Sequence, residues 1–174
     1  QDVSKVITGR LGPSALIGIQ AVLIGLAIGL ILGILAAWKH NSGIDYFTMI
    51  LAVLGVSVPN FVAAALLQYY IGLKWGVLPV GFWTGWNCSV LPSIALSFSA
   101  TAMVARFMRT EMLDVLDQDY IVTARAKGLS QMKVLMRHAV RNSILPVVTI
   151  LGPIVVNLMT GSLAVENIFS IPGI

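Results

Sequence analysis

The sequence predicts an all-α protein, a polytopic bundle of four membrane-spanning helices with a short cytoplasmic helix. Of its 174 residues, 57% are hydrophobic and 10% are charged, whereas a soluble domain carries about 25% charged residues. The charges leave four long uncharged stretches, at 11–37, 46–73, 75–105 and 142–165. Because a helix needs roughly 20 apolar residues to cross a bilayer, each stretch fits one crossing. We place the spans at 13–37, 46–73, 91–108 and 144–165 of a single transmembrane domain, 1–174.

Cysteine and histidine are too sparse for a disulfide framework or a metal site. Cys88 is the only cysteine, and His40 and His138 are too far apart to form a helical metal-binding pair. The first apolar stretch is too long for a signal peptide and has no cleavage site of small residues. The chain opens on Gln1 without a methionine and closes on a loop-like segment, 170–174. We therefore expect an internal piece of a longer protein.

Small residues recur at every fourth position of the first span, at Ala21, Gly25, Gly29, Gly33 and Ala37. In a helix they share one face, where they allow another helix to approach closely. In lipid such a contact is held by van der Waals packing rather than by the hydrophobic effect. We predict that this face is a helix-packing surface, with a partner in this chain or in another.

The second span is interrupted near its middle by Ser57, Pro59 and Asn60. Proline frees a backbone carbonyl and kinks a helix, and nearby polar side chains can satisfy such groups or line a water-filled path. A structural kink and a lining role both stay open for these residues. Asp45 stands before this span and is a suitable N-cap.

Basic residues divide unevenly between the two sides of the predicted bundle. The loop at 109–141, together with Arg106, holds seven of the eleven Lys and Arg residues. Basic residues beside spans accumulate on the cytoplasmic side, which places this loop and the turn with Lys39 inside. The loop at 74–90, rich in Trp, Gly and Pro, is typical of a turn-rich segment with aromatic anchors at the membrane face. It then lies outside, with Lys5, Arg10 and Lys74.

Two short helices are predicted within the cytoplasmic loop. The first follows Asp117 or Asp119, both suitable N-caps, and stops at Gly128, since glycine favours the left-handed conformation that ends a helix. Ser130 caps the second. A basic stripe follows on that helix, at Lys133, Arg137 and Arg141. An amphipathic helix with such a stripe is typical of an anionic membrane surface, and three basic residues do not favour nucleic-acid binding.

The segment 119–130, Asp-Tyr-Ile-Val-Thr-Ala-Arg-Ala-Lys-Gly-Leu-Ser, closely resembles the cytoplasmic loop of ABC-importer permeases of the dipeptide and oligopeptide type. Further similarity to this family covers nearly the whole chain in order, at 57–61, 91–93, 106–109, 141–146 and 166–173. The wider superfamily has Glu-Ala-Ala, three residues and Gly in this loop. Here Val122 and Thr123 replace the Glu and the first Ala, while Ala124 and Gly128 match. This departure is similar to the pattern of the peptide branch.

The resemblance implies that the helix ending at Gly128 is a coupling helix, which docks in a groove of a cytoplasmic ATPase subunit. It assigns nine residues to this contact, which are Asp119, Tyr120, Thr123, Ala124, Arg125, Ala126, Lys127, Gly128 and Leu129. If the interrupted second span has a lining role, then Ser57, Pro59 and Asn60 are candidates for the translocation path.

The resemblance also implies a subunit of an ATP-driven importer that moves di- and oligopeptides through a prokaryotic cytoplasmic (inner) membrane. Such a permease is not an enzyme, because two partner ATPase subunits bind ATP and Mg²⁺, and no cofactor is expected on this chain. The other expected partners are a second permease subunit, an external substrate-binding protein and the lipid bilayer. These permeases usually have six spans, so the chain corresponds to the four inner ones. Nickel and glutathione importers share the same motifs, which leaves the cargo open.

Two other classes of membrane protein fit the sequence less well. An intramembrane hydrolase needs a nucleophile and a base within the membrane, but the predicted spans contain no His, Lys, Asp or Glu. A channel needs rings of polar or charged residues, and the spans hold only scattered Ser, Thr, Asn and Gln. The sequence therefore favours a permease.

Overall fold

The regular structure of the chain is helical throughout the described residues. The computed structural model describes the backbone of residues 3–173 and the side chains of 10–159 and 163–173. The α-helices are α1 (Val3–Trp38), α2 (Gly43–Ser57), α3 (Asn60–Leu67), α4 (Val90–Leu116), α5 (Asp119–Ala126), α6 (Gln131–Val134) and α7 (Arg141–Ile168). Three short helices of other types are the π-helices Gln68–Lys74 and Leu135–Val140 and the 3₁₀-helix Trp86–Ser89. The predicted all-α class is confirmed.

Helices lie over all four predicted spans, with longer bounds than the sequence indicates. Three segments are long and apolar enough to cross a membrane, namely Arg10–Trp38, Trp86–Leu116 and Gln131–Met159. α1 continues through Pro13 toward the N-terminus. α4 extends past Arg106 and Arg109, as the sequence predicts. Within the described residues, three helices are therefore long and apolar enough to span without a break, and the bent pair of α2 and α3 is a fourth candidate.

The second predicted span consists of two helices rather than one kinked helix. α2 ends at Ser57, α3 begins at Asn60, and the two are bent by 98° at this break. Val58 and Pro59 between them are extended, with ψ of 118° and 138°. Proline restricts the residue before it to extended conformations and cannot donate a backbone hydrogen bond. The break lies where the sequence predicts a kink, and it separates two helices instead of bending one.

α4 forms the centre of the bundle. In its most apolar stretch 67% of the residues are buried, against 28% for α1 and 22% for the segment Gln131–Met159. α1, α2, α3 and α7 all contact it. Its core residues recur mostly at every fourth position, at Leu91, Ala95, Leu96, Ala100, Val104, Met108 and Met112. α4 is therefore the one helix of the described chain that contacts α1, α2, α3 and α7 together.

The small-residue face of α1 lies against α4. A Cβ atom added to Gly25, Gly29 or Gly33 would come within 2.7 Å of an atom of α4 in each case. The carbonyl oxygens of Thr101 and Ala105 would be only 2.9 Å and 2.7 Å from such an atom. Two alanines are buried at the ends of the same face, Ala21 and Ala37. The two backbones approach so closely that a side chain does not fit between them, and the partner of this face is in the same chain.

The loop between α3 and α4 is held against the end of α7. Gln68 Nε2 donates to the carbonyl oxygens of Val80 at 2.6 Å and Ile168 at 2.8 Å. The Phe82 N–H donates to the Phe169 carbonyl oxygen at 3.0 Å. These contacts join three elements at the end of the bundle that is predicted to face outward.

Large apolar side chains cover the outer faces of the bundle. Ile19, Leu23 and Ile31 on α1 are each 59% exposed. α2 and α3 expose many more, among them Phe47, Ile50, Leu54, Phe61 and Leu66. Soluble proteins rarely expose apolar surface on this scale, whereas in a bilayer it contacts lipid or other helices. The surface agrees with a membrane environment.

Candidate functional site

The loop between α4 and α7 folds into a compact unit at one end of the bundle. Ile121 and Ala124 of α5 are buried, at 0% and 5% exposed. They pack with Val134 of α6 and contact Val115 and Leu116 at the end of α4. A helix of eight residues is not stable alone in water, so this packing holds α5 in place. α5 is therefore packed against both α6 and the end of α4.

α5 begins without a side-chain cap. Its N-cap is Gln118, which makes no side-chain capping hydrogen bond. The prediction of Asp117 or Asp119 as the N-cap is therefore wrong. Asp119 is instead the first helical residue, where a carboxylate still interacts favourably with the helix dipole. Its carbonyl oxygen accepts a hydrogen bond from Thr123 Oγ1 at 3.0 Å. Several neighbouring polar residues are compatible with an N-cap in the sequence, and the packed position of α5 determines where the helix begins.

Gly128 ends α5 in the left-handed conformation that the sequence predicts, with φ of +80°. Its N–H donates to the Arg125 carbonyl oxygen at 2.9 Å, and the Leu129 N–H is 3.4 Å from the Ala124 carbonyl oxygen. These are the two hydrogen bonds of a Schellman motif. No atom lies within 4 Å of a Cβ added at Gly128. Glycine is favoured here for its backbone conformation and not for lack of space.

The face of α5 that points away from the bundle mixes polar and apolar side chains. Seven of the nine residues assigned to the coupling contact are exposed, namely Asp119, Tyr120, Thr123, Arg125, Ala126, Lys127 and Gly128, and Leu129 is half-buried. Val122 lies among them and is 59% exposed. The assignment from sequence did not include Val122, although it lies on the same exposed face. Its spacing could have identified it, because it is four residues from Ala126 and shares that face.

Ala124 does not lie on the exposed face. Its side chain packs in the same cluster as Ile121 and Val134. Of the nine residues assigned to the coupling contact, it is the one whose side chain is buried, at 5% exposed. Its size matters for the contact between α5 and the rest of the chain, since a larger side chain would push α5 away from α4 and α6.

Polar contacts tie this unit to α7. Asn142 Nδ2 donates to the Tyr120 hydroxyl oxygen at 2.9 Å. Ser143 Oγ lies 2.9 Å from the Ala139 carbonyl oxygen and 3.2 Å from the Glu111 carbonyl oxygen of α4, and its single proton can be donated to either. α5 is thus connected both to the end of α4 and to the start of α7.

The predicted amphipathic helix is continuous with the last span. Ser130 is the N-cap of α6 but makes no side-chain capping bond, and α6 passes through the π-helix Leu135–Val140 into α7. Its basic stripe is exposed, at Lys133, Arg137 and Arg141. Within the described part of the chain no carboxylate forms an ion pair with these residues. The stripe stays available to a negatively charged surface.

A charged cluster that the sequence did not predict joins α2 to α4 at the same end of the bundle. Arg109 Nε donates to Asp45 Oδ1 at 2.6 Å, and Arg109 Nη2 donates to Asp45 Oδ2 at 2.8 Å. The Asn41 N–H also donates to Oδ2, at 3.0 Å. Asp45 is not the N-cap of α2, which is Ser42. This cluster brings the two predicted cytoplasmic loops together at one end.

The three residues suggested for a path lie at the break between α2 and α3. Ser57 and Pro59 are exposed, and Asn60 is half-buried. Among the residues whose side chains are described, neither Ser57 nor Asn60 makes a side-chain hydrogen bond to the freed backbone. A role in rescuing that backbone is therefore not supported by the geometry.

Residues 29–174 match the family described as "Binding-protein-dependent transport system inner membrane component". The chain belongs to this family. The matched residues run from the middle of α1 to the end of the chain, so they include α5, the break at Pro59 and the Asp45–Arg109 cluster. The predicted family and the predicted location in the inner membrane are confirmed.

Relatives of this inner-membrane component are peptide permeases. The chain is 43% identical over 174 residues to the dipeptide transport system permease protein of Lactococcus lactis, covering 100% of this chain and 57% of the relative. It is 46% identical over 159 residues to that of Bacillus subtilis, covering 90% and 51%. It is 40% identical over 176 residues to the oligopeptide transport system permease protein of Salmonella typhimurium, covering 99% and 57%. The chain thus spans little more than half the length of these relatives.

A solved structure supports the fold of this family member. The crystal structure of an amino acid ABC transporter with histidines aligns with a TM-score of 0.75, covering 98% of this chain and 74% of that chain. The two are 19% identical in sequence. At this identity the likeness shows a shared fold, and it carries nothing about cargo.

Proposed function

We propose that this chain is the membrane-spanning part of a permease subunit in an ATP-driven ABC importer of peptides. The family and the shared fold support a transport permease, and the peptide permeases among the relatives support peptides as the cargo. The observation that carries the mechanism is α5, a short helix packed onto α4 through Ile121 with its opposite face exposed.

In this proposal α5 docks in a groove of a cytoplasmic ATPase subunit. Val122 supplies the main apolar contact, because it is 59% exposed in the free chain, and Arg125 and Lys127 add positive charge at the C-terminal end of the helix. Two ATPase subunits close around ATP and Mg²⁺ and displace α5. The cluster of Ile121, Ala124 and Val134, against which Val115 and Leu116 of α4 pack, passes the displacement to α4. In this proposal the chain transmits a movement and catalyses no reaction.

The path for the cargo forms between this chain and a second permease subunit. The break at Pro59 supports a contribution from α2 and α3, since it places exposed Ser57 and half-buried Asn60 within a largely apolar segment. An external binding protein would deliver the peptide at the opposite end from α5. Alternating access then follows from movement of the helices that α4 contacts.

The docking of α5 is tested by a matched pair of substitutions, Val122→Asp and Val77→Asp. Both valines are exposed, at 59% and 67%, but Val77 lies in the loop at the opposite end. Val122→Asp should reduce the ATPase that co-purifies with the permease by at least tenfold, since burial of a valine side chain contributes about 1.5 kcal/mol or more. Val77→Asp should retain the ATPase. Equal recovery of the ATPase with both variants would remove α5 from the mechanism.

The cargo is tested by uptake into proteoliposomes that contain the whole complex and its binding protein. ATP-dependent uptake of labelled di- or oligopeptides is expected. Uptake of Ni²⁺ or glutathione without uptake of other peptides would overturn the peptide assignment, and it would leave the role of α5 unaffected.

A further inference from the structure

The Asp45–Arg109 contact is the one ion pair of the described residues that joins two helices of the bundle. Both carboxylate oxygens of Asp45 are engaged by one guanidinium group, at 2.6 Å and 2.8 Å, which is the bidentate geometry that gives such pairs direction as well as strength. The Asp45 side chain is 2% exposed and that of Arg109 is 22% exposed. Burial shields the pair from water and salt, so it resists separation better than a surface ion pair.

His40 completes the cluster from the turn between α1 and α2. Its Nδ1 atom lies 3.2 Å from Asp45 Oδ2 and 3.2 Å from Arg109 Nη2. One tautomer of the ring donates to the carboxylate, and the other accepts from the guanidinium. Asn41 in the same turn has a left-handed backbone, φ +58°, which allows its N–H to reach Asp45. The turn is therefore bound to α4 through the Asp45 carboxylate and through the contact between His40 and Arg109.

Arg109 lies close to the point where α5 acts on α4. Leu116, the last residue of α4, lies seven positions after it, which is about 10 Å along a helix. Leu116 is in turn part of the cluster that holds Ile121 of α5. A displacement of α5 reaches Arg109 through two turns of continuous helix, without a flexible joint between them.

Asp45 stands at the other end of α2 from the break at Pro59. α2 is a continuous helix of 15 residues, and near its far end a Cβ added at Gly55 would be 3.1 Å from Ala102 of α4. α2 is thus held to α4 near both of its ends. α3, beyond the break, is followed by Gln68, which is bonded to Val80 and Ile168 at the opposite end of the bundle.

We infer that the Asp45–Arg109 pair is a positioning contact that makes α2 move with α4, so that displacement of α5 changes the bend between α2 and α3. The inference rests on the proposed function, since it supplies the step between the docked helix and the path. α3 also contacts α4, but it is followed by Gln68, whose hydrogen bonds to Val80 and Ile168 hold that arm of the bend at the opposite end of the bundle. A movement of α4 is then converted into a change of angle at Val58 and Pro59.

The first test removes the ion pair without leaving a buried unpaired charge. The double variant Asp45→Asn, Arg109→Gln is compared with Arg106→Gln, which removes an exposed arginine from the same helix. The double variant should keep ATPase association and basal ATP hydrolysis, while substrate-stimulated hydrolysis and peptide uptake fall at least tenfold. Arg106→Gln should match the parent. An unchanged ratio of stimulated to basal hydrolysis in the double variant would overturn the inference.

A second measurement leaves the ion pair intact and so does not depend on the folding of that variant. Spin labels are placed in the complete complex on exposed residues of α2 (Ile50), α3 (Leu66) and α4 (Asp114). Trapping the ATP-bound state should change the distance between α2 and α3 and leave the distance between α2 and α4 constant. A constant distance between α2 and α3, or a changed distance between α2 and α4, would overturn the inference.

The two proposals fail in different ways. If α5 does not dock, Val122→Asp keeps its ATPase, whatever the ion-pair variant does. If α5 docks but the ion pair does not position α2, Val122→Asp loses its ATPase while the double variant keeps the parental stimulation ratio.

Discussion

Two glycine residues at opposite ends of the bundle share the same left-handed backbone. Gly128 has φ of +80° and Gly76 has φ of +64°, and no atom lies within 4 Å of a Cβ added to either. A side chain at either position therefore adds conformational strain of about 1 kcal/mol or more and no collision. The two positions differ in what they hold, since Gly128 ends α5 and Gly76 lies in the opposite loop.

The pair provides a test at the residue scale, Gly128→Val against Gly76→Val. Both variants should lower the thermal stability of the complex by similar amounts, because the strain is similar. Gly128→Val alone should also reduce ATPase co-purification and substrate-stimulated ATP hydrolysis, since it frays the last turn of the docking helix. Normal ATPase association in Gly128→Val, with a measurable loss of stability, would show that this turn does not contact the partner.

A residue's role can be predicted from sequence when it depends on neighbouring residues, and not when it depends on residues far away in the chain. The conformation of Gly128 depends on its own backbone and on the helix just before it, so its position in the sequence suffices. The role of Asp45 depends on Arg109, 64 residues away, and the residues around Asp45 are equally compatible with an N-cap. The role of Ala124 also depends on tertiary structure, because its packing with Val134 shows that its side chain lies on the buried face of α5.

Among the helix contacts of the described chain, the one between α1 and α4 leaves no room for a side chain at three glycines, Gly25, Gly29 and Gly33. Gly29 faces the Thr101 carbonyl oxygen and Val104 of α4, at 2.9 Å and 2.7 Å from an added Cβ. Backbone atoms cannot rotate away as a side-chain end can. A substitution at Gly29 must therefore separate the two helices.

We predict that Gly29→Leu destabilises the bundle, whereas Gly12→Leu in the same helix does not. Overpacking of this kind costs about 1–3 kcal/mol and more where backbone must move, and no atom lies within 4 Å of a Cβ added at Gly12. Thermal unfolding of the purified complex measures the difference. A melting temperature of Gly29→Leu equal to that of Gly12→Leu would contradict this packing.

The elements themselves are predicted unequally well from sequence. The uncharged stretches locate the spans because the cost of burying charge in lipid is large and local in sequence. The spacing of small residues in α1 identifies the packing face, but periodicity carries no information on the partner, which is α4. Pro59 locates the break between α2 and α3, yet the bend of 98° depends on contacts of both helices with α4 and on the Gln68 hydrogen bonds.

At the scale of the whole molecule, the two ends of the bundle are built from different interactions. The end with α5 has the buried ion pair of Asp45 and Arg109 and the basic stripe on α6, whereas the opposite end is joined by Gln68 and by backbone hydrogen bonds of Phe82. α4 runs between the two ends. The charge distribution predicts that the α5 end is cytoplasmic, with eight Lys and Arg residues there against three outside.

The native cysteine does not report this orientation. Cys88 lies in the loop between α3 and α4, but it is 3% exposed, and its Sγ is 3.3 Å from Thr84 Oγ1. A thiol reagent reaches it poorly from either side of the membrane. Asn87 beside it is exposed, as is Ser130 in the loop between α5 and α6, so these two positions can carry a reporter at each end.

We predict that in a Cys88→Ser background Asn87→Cys reacts with an impermeant thiol reagent in intact cells, whereas Ser130→Cys reacts only after the membrane is opened. The hydroxyl group introduced by Cys88→Ser keeps a polar atom within reach of Thr84, so the loop should fold normally. The eight-to-three division of basic residues sets the expected sides, because translocation of positive charge across the membrane is disfavoured. Labelling of Ser130→Cys in intact cells, with Asn87→Cys protected, would show that the bundle has the opposite orientation. α5 would then lie where a cytoplasmic ATPase cannot reach it.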